Sequence, residues 1–219
     1  MTTSTPLERG HLVFYHAPNS RSAGIRALLE EIGATYELRA LDLKAGEQRR
    51  PDYLAINPLG KVPAIVHDGA LITEQGAMFA YLADLFPEAG LAPPIGDRLR
   101  GPYLRWLFYY GSCFEPAMID RSMKREPAPP STSPYGDYDS MLATLVAQLR
   151  PGPYLLGERF TAADVLWGGA LGWTINFKLV PELPELVAYA GRVAARPAMA
   201  SAAAKDAELA AKQAAARGE

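Results

Sequence analysis

The sequence is poor in the residues that build disulfides and metal sites. It contains one cysteine, Cys113, which excludes an internal disulfide, a Cys-x-x-Cys redox pair and a structural set of zinc-binding cysteines. Its three histidines, at positions 11, 16 and 67, lack the spacing of metal ligands, and we interpret His16 as a loop residue rather than a general base. We therefore expect no metal centre.

The chain also has little excess charge and no long hydrophobic run. Its net charge is −2, which gives no reason to expect nucleic acid or an anionic membrane as a partner. Residues 1–10 are polar and lack the apolar core of a secretion signal, so we expect a cytoplasmic protein. With 219 residues, 49% of them hydrophobic, the chain can form one large domain or two modest ones.

Apolar periodicity predicts alternating strands and helices in the first part of the chain. Residues 21–33 place Ile25, Leu28, Leu29 and Ile32 on one helical stripe that ends at a glycine. The Asp68-Gly69 pair between two apolar runs indicates a hairpin. The full set of predicted elements is strands at 11–15, 36–43, 64–66 and 70–73, and helices at 21–33, 47–56 and 74–86.

Everything after a short linker has helical periodicity. Residues 87–96 contain three prolines and two glycines, which is typical of a linker between domains. Thr161 and Asp164 form a capping box before an apolar run and serve folding rather than chemistry. Residues 198–219 are rich in alanine, so we expect a helical tail with little to bury that frays. Further helices are predicted at 97–118, 137–149 and 184–195.

The most informative stretch is residues 57–66, where Pro63 precedes a β-branched strand although proline cannot donate to a strand ladder. A cis Val62-Pro63 bond would turn the backbone of Val62 outward and leave it unpaired. Thr73 then closes the next strand, and Glu74 and Gln75 open a helix whose free N–H groups attract a carboxylate. These features predict a site for a ligand with a peptide middle and an amino-acid end.

Two motifs in this region resemble the cytosolic glutathione S-transferase family, of bacterial type. They are Asn-Pro-x-Gly-x-Val-Pro at residues 57–63 and Thr-Glu-x-Gly-Ala at residues 73–77. The resemblance implies an α/β thioredoxin-like glutathione-binding domain at residues 11–86, after an extension at 1–10, and an all-α domain at residues 97–197. It also implies a homodimeric transferase of alkyl or aryl groups that acts in detoxification with glutathione as co-substrate.

The resemblance assigns roles to residues of the glutathione site. Val62 and Pro63 would hold the cysteinyl backbone, while Glu74 and Gln75 would hold the γ-glutamyl end, although Gln75 stands where serine is usual. Lys61 is the first candidate for the glycine carboxylate, with Arg49 and Arg50 as alternatives.

The family activates the thiol of glutathione, and this requires a donor at the sulfur. A thiol with a pKa of about 8.5 is mostly protonated at pH 7, and a helix dipole alone contributes only about 0.3 to 1 kcal/mol. The loop from Tyr15 to Ser22 is where the family supplies the donor. Our candidates, in order, are Ser20 or Asn19, then Ser22, then Tyr15, with Arg21 adding positive charge or binding a carboxylate. For Ser20 and Ser22 taken singly, the helix N-cap is the more common role, and one residue cannot easily serve as both cap and donor.

The second substrate is expected to be a small hydrophobic electrophile. The candidates to line its binding site are Tyr109, Phe114 and Met118. The lack of a cysteine in the Tyr15–Ser22 loop argues against chemistry through a mixed disulfide. Two other functions stay open: a binding or interaction module that keeps the glutathione site without catalysis, and a glutathione-dependent isomerase or ether-cleaving enzyme.

Overall fold

The computed structural model describes residues 8–126 and 128–219, which form two compact units. One unit contains the chain up to Ala89 together with Pro197–Glu219, and the other contains Gly90–Arg196. Most of the predicted extension at residues 1–10 lies outside the described residues. No helix within the described ranges is long and apolar enough to cross a membrane.

The first unit is built on a four-stranded mixed sheet with the strand order β2-β1-β3-β4. Strand β2 is parallel to β1, as the intervening helix predicts, whereas β3 is antiparallel to both β1 and β4. The elements are β1 Leu12–His16, α1 Ser22–Ile32, β2 Glu37–Ala40, α2 Pro51–Leu54, β3 Ala64–His67, β4 Ala70–Ile72 and α3 Gln75–Leu85. The predicted order of strands and helices is confirmed.

Helix α1 forms and ends for the reasons read from its sequence. Its stripe of Ile25, Leu28 and Leu29 is completely buried. The helix stops at Gly33, whose φ of 74° lies in the left-handed region that favours glycine, and whose N–H bonds the carbonyls of Leu29 and Glu30. The cis peptide bond predicted between Val62 and Pro63 is present.

The alanine-rich tail differs from the expectation. It forms one helix, α9 Pro197–Arg217, which packs on α1 and belongs to the first unit. The small alanine side chains let α9 approach α1 closely. Because they bury little apolar surface, polar contacts between the two elements add stability. Asp206 pairs with Arg26, Lys205 pairs with Glu30 at 2.5 Å, and Arg217 pairs with Asp42. The prediction of a frayed tail overlooked these partners.

In the residues described, the second unit consists of helices and their connections, with two isolated β-bridges between residues 154 and 159. Its helices are α4 Arg100–Tyr109, α5 Glu115–Ser122, α6 Tyr138–Leu149, α7 Ala162–Asn176 and α8 Pro184–Ala194. The predicted single helix at 97–118 is interrupted by a π-helical turn at Tyr110–Phe114. The core of the second unit is aromatic, with Trp106 and Trp167 in edge-to-face contact at 5.7 Å between ring centroids. At the α7–α8 contact, a Cβ on Gly168 would lie 2.4 Å from Val193, so the backbones approach closely.

The predicted capping box starts α7. The backbone N–H of Thr161 donates to the Asp164 carboxylate at 2.8 Å, and the Thr161 hydroxyl accepts from the N–H of Asp164. Asp164 also accepts from the N–H of Leu155 and from the Tyr189 hydroxyl, so one carboxylate ties together a loop and two helices. Burial raises the pKa of Asp164 despite these hydrogen bonds.

Candidate active site

Three chain segments leave the sheet of the first unit at the same edge. Tyr15 of β1 pairs with Ala64 of β3, and Ile65 of β3 pairs with Ile72 of β4. Because neighbouring strands keep this register, the loop after β1, the residues before β3 and the residues after β4 lie side by side. The edge therefore brings together residues 17–22, 61–63 and 73–75, which contain most of the predicted glutathione-site residues.

Val62 presents a free backbone at this edge. Within residues 8–126 and 128–219, its N–H and C=O make no hydrogen bond. The preceding carbonyl, that of Lys61, is held from behind by Asn57 Nδ2 at 2.9 Å and by the Tyr53 hydroxyl at 2.5 Å. Burial raises the pKa of Tyr53 to about 12, so its phenol remains a donor at neutral pH. Tyr53 is a supporting residue that the sequence analysis missed.

Glu74 and Gln75 stand at the start of α3, as predicted. Glu74 is exposed and has a φ of 63°, a conformation that residues with a Cβ rarely adopt. The side chain of Gln75 reaches toward α1, because a Cβ built on Gly24 would lie 3.6 Å from Gln75 Oε1. The starts of the two helices are therefore neighbours, and Gln75 spans the gap between them.

The loop after β1 is organised by two serine hydroxyls. Ser20 is half-buried, and its Oγ lies 2.8 Å from the carbonyl of Ala17 and 2.7 Å from Ser22 Oγ. Ser22, in contrast, has no exposed surface, and its Oγ lies 2.8 Å from His16 Nδ1. Ser22, a candidate donor to the sulfur, therefore has no surface that meets a ligand in this structure, whereas Ser20 has.

His16 is not the loop residue that we expected. Strand β1 continues through His16, whose side chain is fully buried beneath the loop. Its Nε2 lies 3.0 Å from Asp206 Oδ1 of α9, and Arg26 Nη1 lies 2.7 Å from the same oxygen. Asp206 was also missed, although Ala202, Asp206, Leu209 and Gln213 are spaced as one helical face in the sequence.

The other candidates near the thiol site have varied surroundings. Asn19 is exposed, with a φ of 56° that fits a turn residue. Tyr15 lies on the opposite face of β1 from His16, and its ring contacts that of Tyr53 at 5.4 Å between centroids. Arg21 and Lys61 are both exposed at the edge of the sheet.

The candidates for the hydrophobic site lie on α4, the π-helical turn and α5 of the helical unit. Phe114 packs on Trp167 at 4.9 Å between ring centroids, and Met118 is buried as well. Tyr109 is half-buried and donates its hydroxyl to the carbonyl of Met141 at 3.1 Å. In the part of the chain that the structure describes, no three His, Cys, Asp or Glu side chains are grouped to hold a metal ion.

Comparison with known families agrees with this arrangement. Residues 10–84 match the N-terminal domain of glutathione S-transferase, and residues 135–192 match its C-terminal domain. Glutathione S-transferase GstA of Escherichia coli O157:H7 is 30% identical over 84% of this chain and 92% of the relative. The chain belongs to the glutathione S-transferase family. Its fold is accordingly the thioredoxin-like domain plus all-α domain of that family, as predicted.

Two further relatives show the range of this glutathione S-transferase family. The disulfide-bond oxidoreductase YfcG of Escherichia coli K12 is 31% identical over 84% of this chain and 90% of the relative. The solved structure of a sphingomonad glutathione S-transferase in complex with glutathione is 31% identical. It superposes with a TM-score of 0.74 and covers 89% of this chain and 98% of that chain.

Proposed function

We propose that this protein is a glutathione transferase that ionises the thiol of glutathione and adds the thiolate to a small hydrophobic electrophile. The observation that carries the proposal is the meeting of three segments at one sheet edge. They offer the free backbone of Val62, the start of α3 at Glu74 and Gln75, and the hydroxyl of Ser20. Family membership and a relative with bound glutathione support the same ligand.

Each part of the edge suits one part of the tripeptide. The N–H and C=O of Val62 pair with the cysteinyl backbone, as an extended peptide pairs with a free strand edge. Glu74 and Gln75 bind the ammonium and the carboxylate of the γ-glutamyl end, aided by the N–H groups at the start of α3. We assign the glycine carboxylate to Lys61, with Arg21 as a second cation.

Ser20 is the residue that we assign as donor to the sulfur. Its hydroxyl is the outer one of the two serines, and the N–H of Ser22 donates to its oxygen at 3.2 Å. A hydrogen bond to an anion contributes about 1.5 to 3 kcal/mol, which corresponds to about one to two pKa units of the thiol. Asn19 and Tyr15 are the alternative donors at this edge.

The proposal also covers the second substrate, the oligomeric state, the cellular location and the domain bounds. We assign the electrophile to the region of Tyr109, Phe114 and Met118, of which Tyr109 is half-buried and the other two are buried, and the enzyme works as a cytoplasmic homodimer in detoxification. Residues 11–86 form the glutathione-binding domain and residues 97–197 the helical domain, joined by the linker at 87–96.

The test is a spectroscopic titration of bound glutathione. The absorbance of the thiolate in the near ultraviolet is followed against pH for the wild type, Ser20→Ala, Asn19→Ala and Tyr15→Phe. We expect the bound thiol to ionise at least about one pH unit below the free thiol, and Ser20→Ala to move the midpoint back by about one unit.

The control is Ser131→Ala, which changes an exposed serine in a turn of the helical unit and should leave the midpoint unchanged. Binding without any shift of the thiol would replace the transferase with a glutathione-binding module. No binding of glutathione would overturn the assignment of the site.

A further inference from the structure

A continuous row of polar contacts leads from the surface of the sheet edge to the interior. Ser20 Oγ lies 2.7 Å from Ser22 Oγ, Ser22 Oγ lies 2.8 Å from His16 Nδ1, and His16 Nε2 lies 3.0 Å from Asp206 Oδ1. The outer end, Ser20, is the donor proposed for the sulfur. Ser22 and His16, the two inner members, have no exposed surface.

The partners of His16 define which of its nitrogens carries a proton. We assign the proton of the neutral ring to Nε2, because this nitrogen faces the carboxylate of Asp206. The N–H makes no hydrogen bond with the carboxylate, so the contact is electrostatic. In the neutral ring Nδ1 is then an acceptor, and Ser22 donates to it. Ser22 Oγ in turn accepts from the N–H of Ala17 at 3.0 Å. The hydroxyl of Ser20 lies within reach of both the Ala17 carbonyl, at 2.8 Å, and Ser22 Oγ, at 2.7 Å, and in the row its hydrogen is directed to Ser22.

We propose that His16 takes up the thiol proton of glutathione through Ser20 and Ser22. The inference rests on the proposed function, and the transfer balances as three linked steps. The S–H bond breaks as its proton binds Ser20 Oγ, the proton of Ser20 moves to Ser22 Oγ, and the proton of Ser22 moves to His16 Nδ1. The products are a thiolate, which accepts a hydrogen bond from Ser20, and an imidazolium beside Asp206.

The charged group that faces His16 is the carboxylate of Asp206. Burial acts to raise the pKa of Asp206, but the contacts with His16 and Arg26 outweigh it and leave that pKa below its ordinary value. Asp206 is therefore an anion at neutral pH, shared between Arg26 and His16. Among the other titratable groups, Tyr36, whose pKa is raised by burial, interacts with both Asp206 and Arg26, and Glu208 interacts with Arg26. Glu30 interacts with Tyr36 and pairs with Lys205.

Asp206, His16 and Ser22 lie in the same order as the residues of a hydrolase triad, but their arrangement does not fit covalent catalysis. A nucleophilic serine must reach the reacting carbon of its substrate, whereas Ser22 has no exposed surface. The one serine of the row with exposed surface, Ser20, contacts His16 only through Ser22. The row is suited to moving a proton inward.

Histidine NMR tests the proposal on the wild-type protein. The chain has three histidines, so labelling them with nitrogen-15 gives three imidazole pairs, which His11→Asn and His67→Asn assign by removal. At pH 7 we expect His16 to be neutral without ligand and to become an imidazolium with glutathione. With S-methylglutathione, which has no thiol proton to give, His16 should stay neutral.

Thiolate absorbance in the same samples separates the possible failures. A thiolate that forms while His16 stays neutral overturns the relay and leaves the proposed transferase intact, because the proton has gone elsewhere. The relay is equally overturned if His16 is already an imidazolium without ligand. Glutathione that binds without ionising, or does not bind, overturns the proposed function itself.

A variant adds a second readout. Asn in place of His16 offers an amide near the position of Nδ1 but cannot accept a proton at neutral pH. We expect His16→Asn to raise the midpoint of thiolate formation by about one pH unit, equivalent to a tenfold loss of thiolate at a given pH. The matched control is His11→Asn, which changes an exposed histidine paired with Glu37 and should leave the midpoint unchanged. An unchanged midpoint in His16→Asn would contradict the relay.

Discussion

Asp164 in the helical unit is a buried carboxylate and Asp206 in the sheet-containing unit is a mostly buried one, and the two have opposite kinds of partners. Asp164 accepts hydrogen bonds from neutral donors: two backbone N–H groups, a threonine and a tyrosine. Asp206 faces the guanidinium of Arg26 and the imidazole of His16. The pKa of Asp164 is raised, while the pKa of Asp206 is lowered.

The difference in partners distinguishes a carboxylate that serves the fold, Asp164, from one that can stabilise a charge formed in a reaction, Asp206. Neutral donors fix the position of Asp164 but do not compensate for the desolvation of its charge. Cationic partners do compensate for it, so Asp206 keeps its charge and can support a second charge that forms nearby. A buried acid is thus a candidate for function when its partners can themselves exchange protons.

The largest effect is expected from Asp164→Ala. The substitution leaves the N–H groups of Leu155 and Thr161 and the hydroxyl of Tyr189 without their acceptor, so the free energy of unfolding should fall by about 3 to 5 kcal/mol. Urea denaturation measures the change. Glu182→Ala, at an exposed loop position, is the control and should stay within about 0.5 kcal/mol of wild type. A loss below about 1 kcal/mol would contradict the structural role of Asp164.

A smaller loss of stability is expected from Asp206→Ala. It removes the partner of Arg26, whose side chain is only 8% exposed, and the free energy of unfolding should fall by about 2 to 4 kcal/mol. Glu208→Ala on the same helix breaks an exposed pair with Lys212 and should leave the free energy of unfolding nearly unchanged. Hydrogen exchange should report the opening of α9 and α1 in the first variant alone.

The smallest expected effect is on the pH dependence of the free energy of unfolding, which should differ in sign between Asp206 and Asp164. The lowered pKa of Asp206 means that its contribution is complete above its unfolded pKa of about 3.9 and is lost as pH falls through the folded value. The raised pKa of Asp164 has the opposite sign, so its contribution is complete below about 3.9 and is lost as pH rises through the folded value.

The measurement is the difference in free energy of unfolding between wild type and each Asn variant, followed from pH 3 to pH 6. This difference should rise with pH for Asp206→Asn and fall with pH for Asp164→Asn, each by at most about 1.4 kcal/mol per pH unit. Slopes of the same sign would refute the distinction between the two carboxylates.

The sequence predicts well those features whose signals are local. The stripe of α1, the Asp68-Gly69 hairpin, the capping box at Thr161 and the cis Val62-Pro63 bond each depend on residues close together in the chain, and the structure contains all four. The two motifs at the sheet edge likewise identified the family.

Features that depend on distant partners were missed. The docking of α9 rests on pairs such as Arg26 with Asp206, which are 180 positions apart. An alanine-rich segment has no apolar stripe from which its packing on α1 could be predicted. His16 was misread for the same reason, because its acidic partner lies near the other end of the chain. The burial of Ser22 beneath Ser20 likewise follows only from the packed loop.

Helix α9 also determines when the sheet-containing unit can be completed during synthesis. The ribosome releases the sheet first, then the whole helical unit Gly90–Arg196, and only afterwards the residues that cover α1. A nascent chain therefore holds Arg26 and His16 without their carboxylate while more than a hundred further residues are made. The helical unit can finish folding before the unit that precedes it, and the row from Ser20 to Asp206 is assembled last.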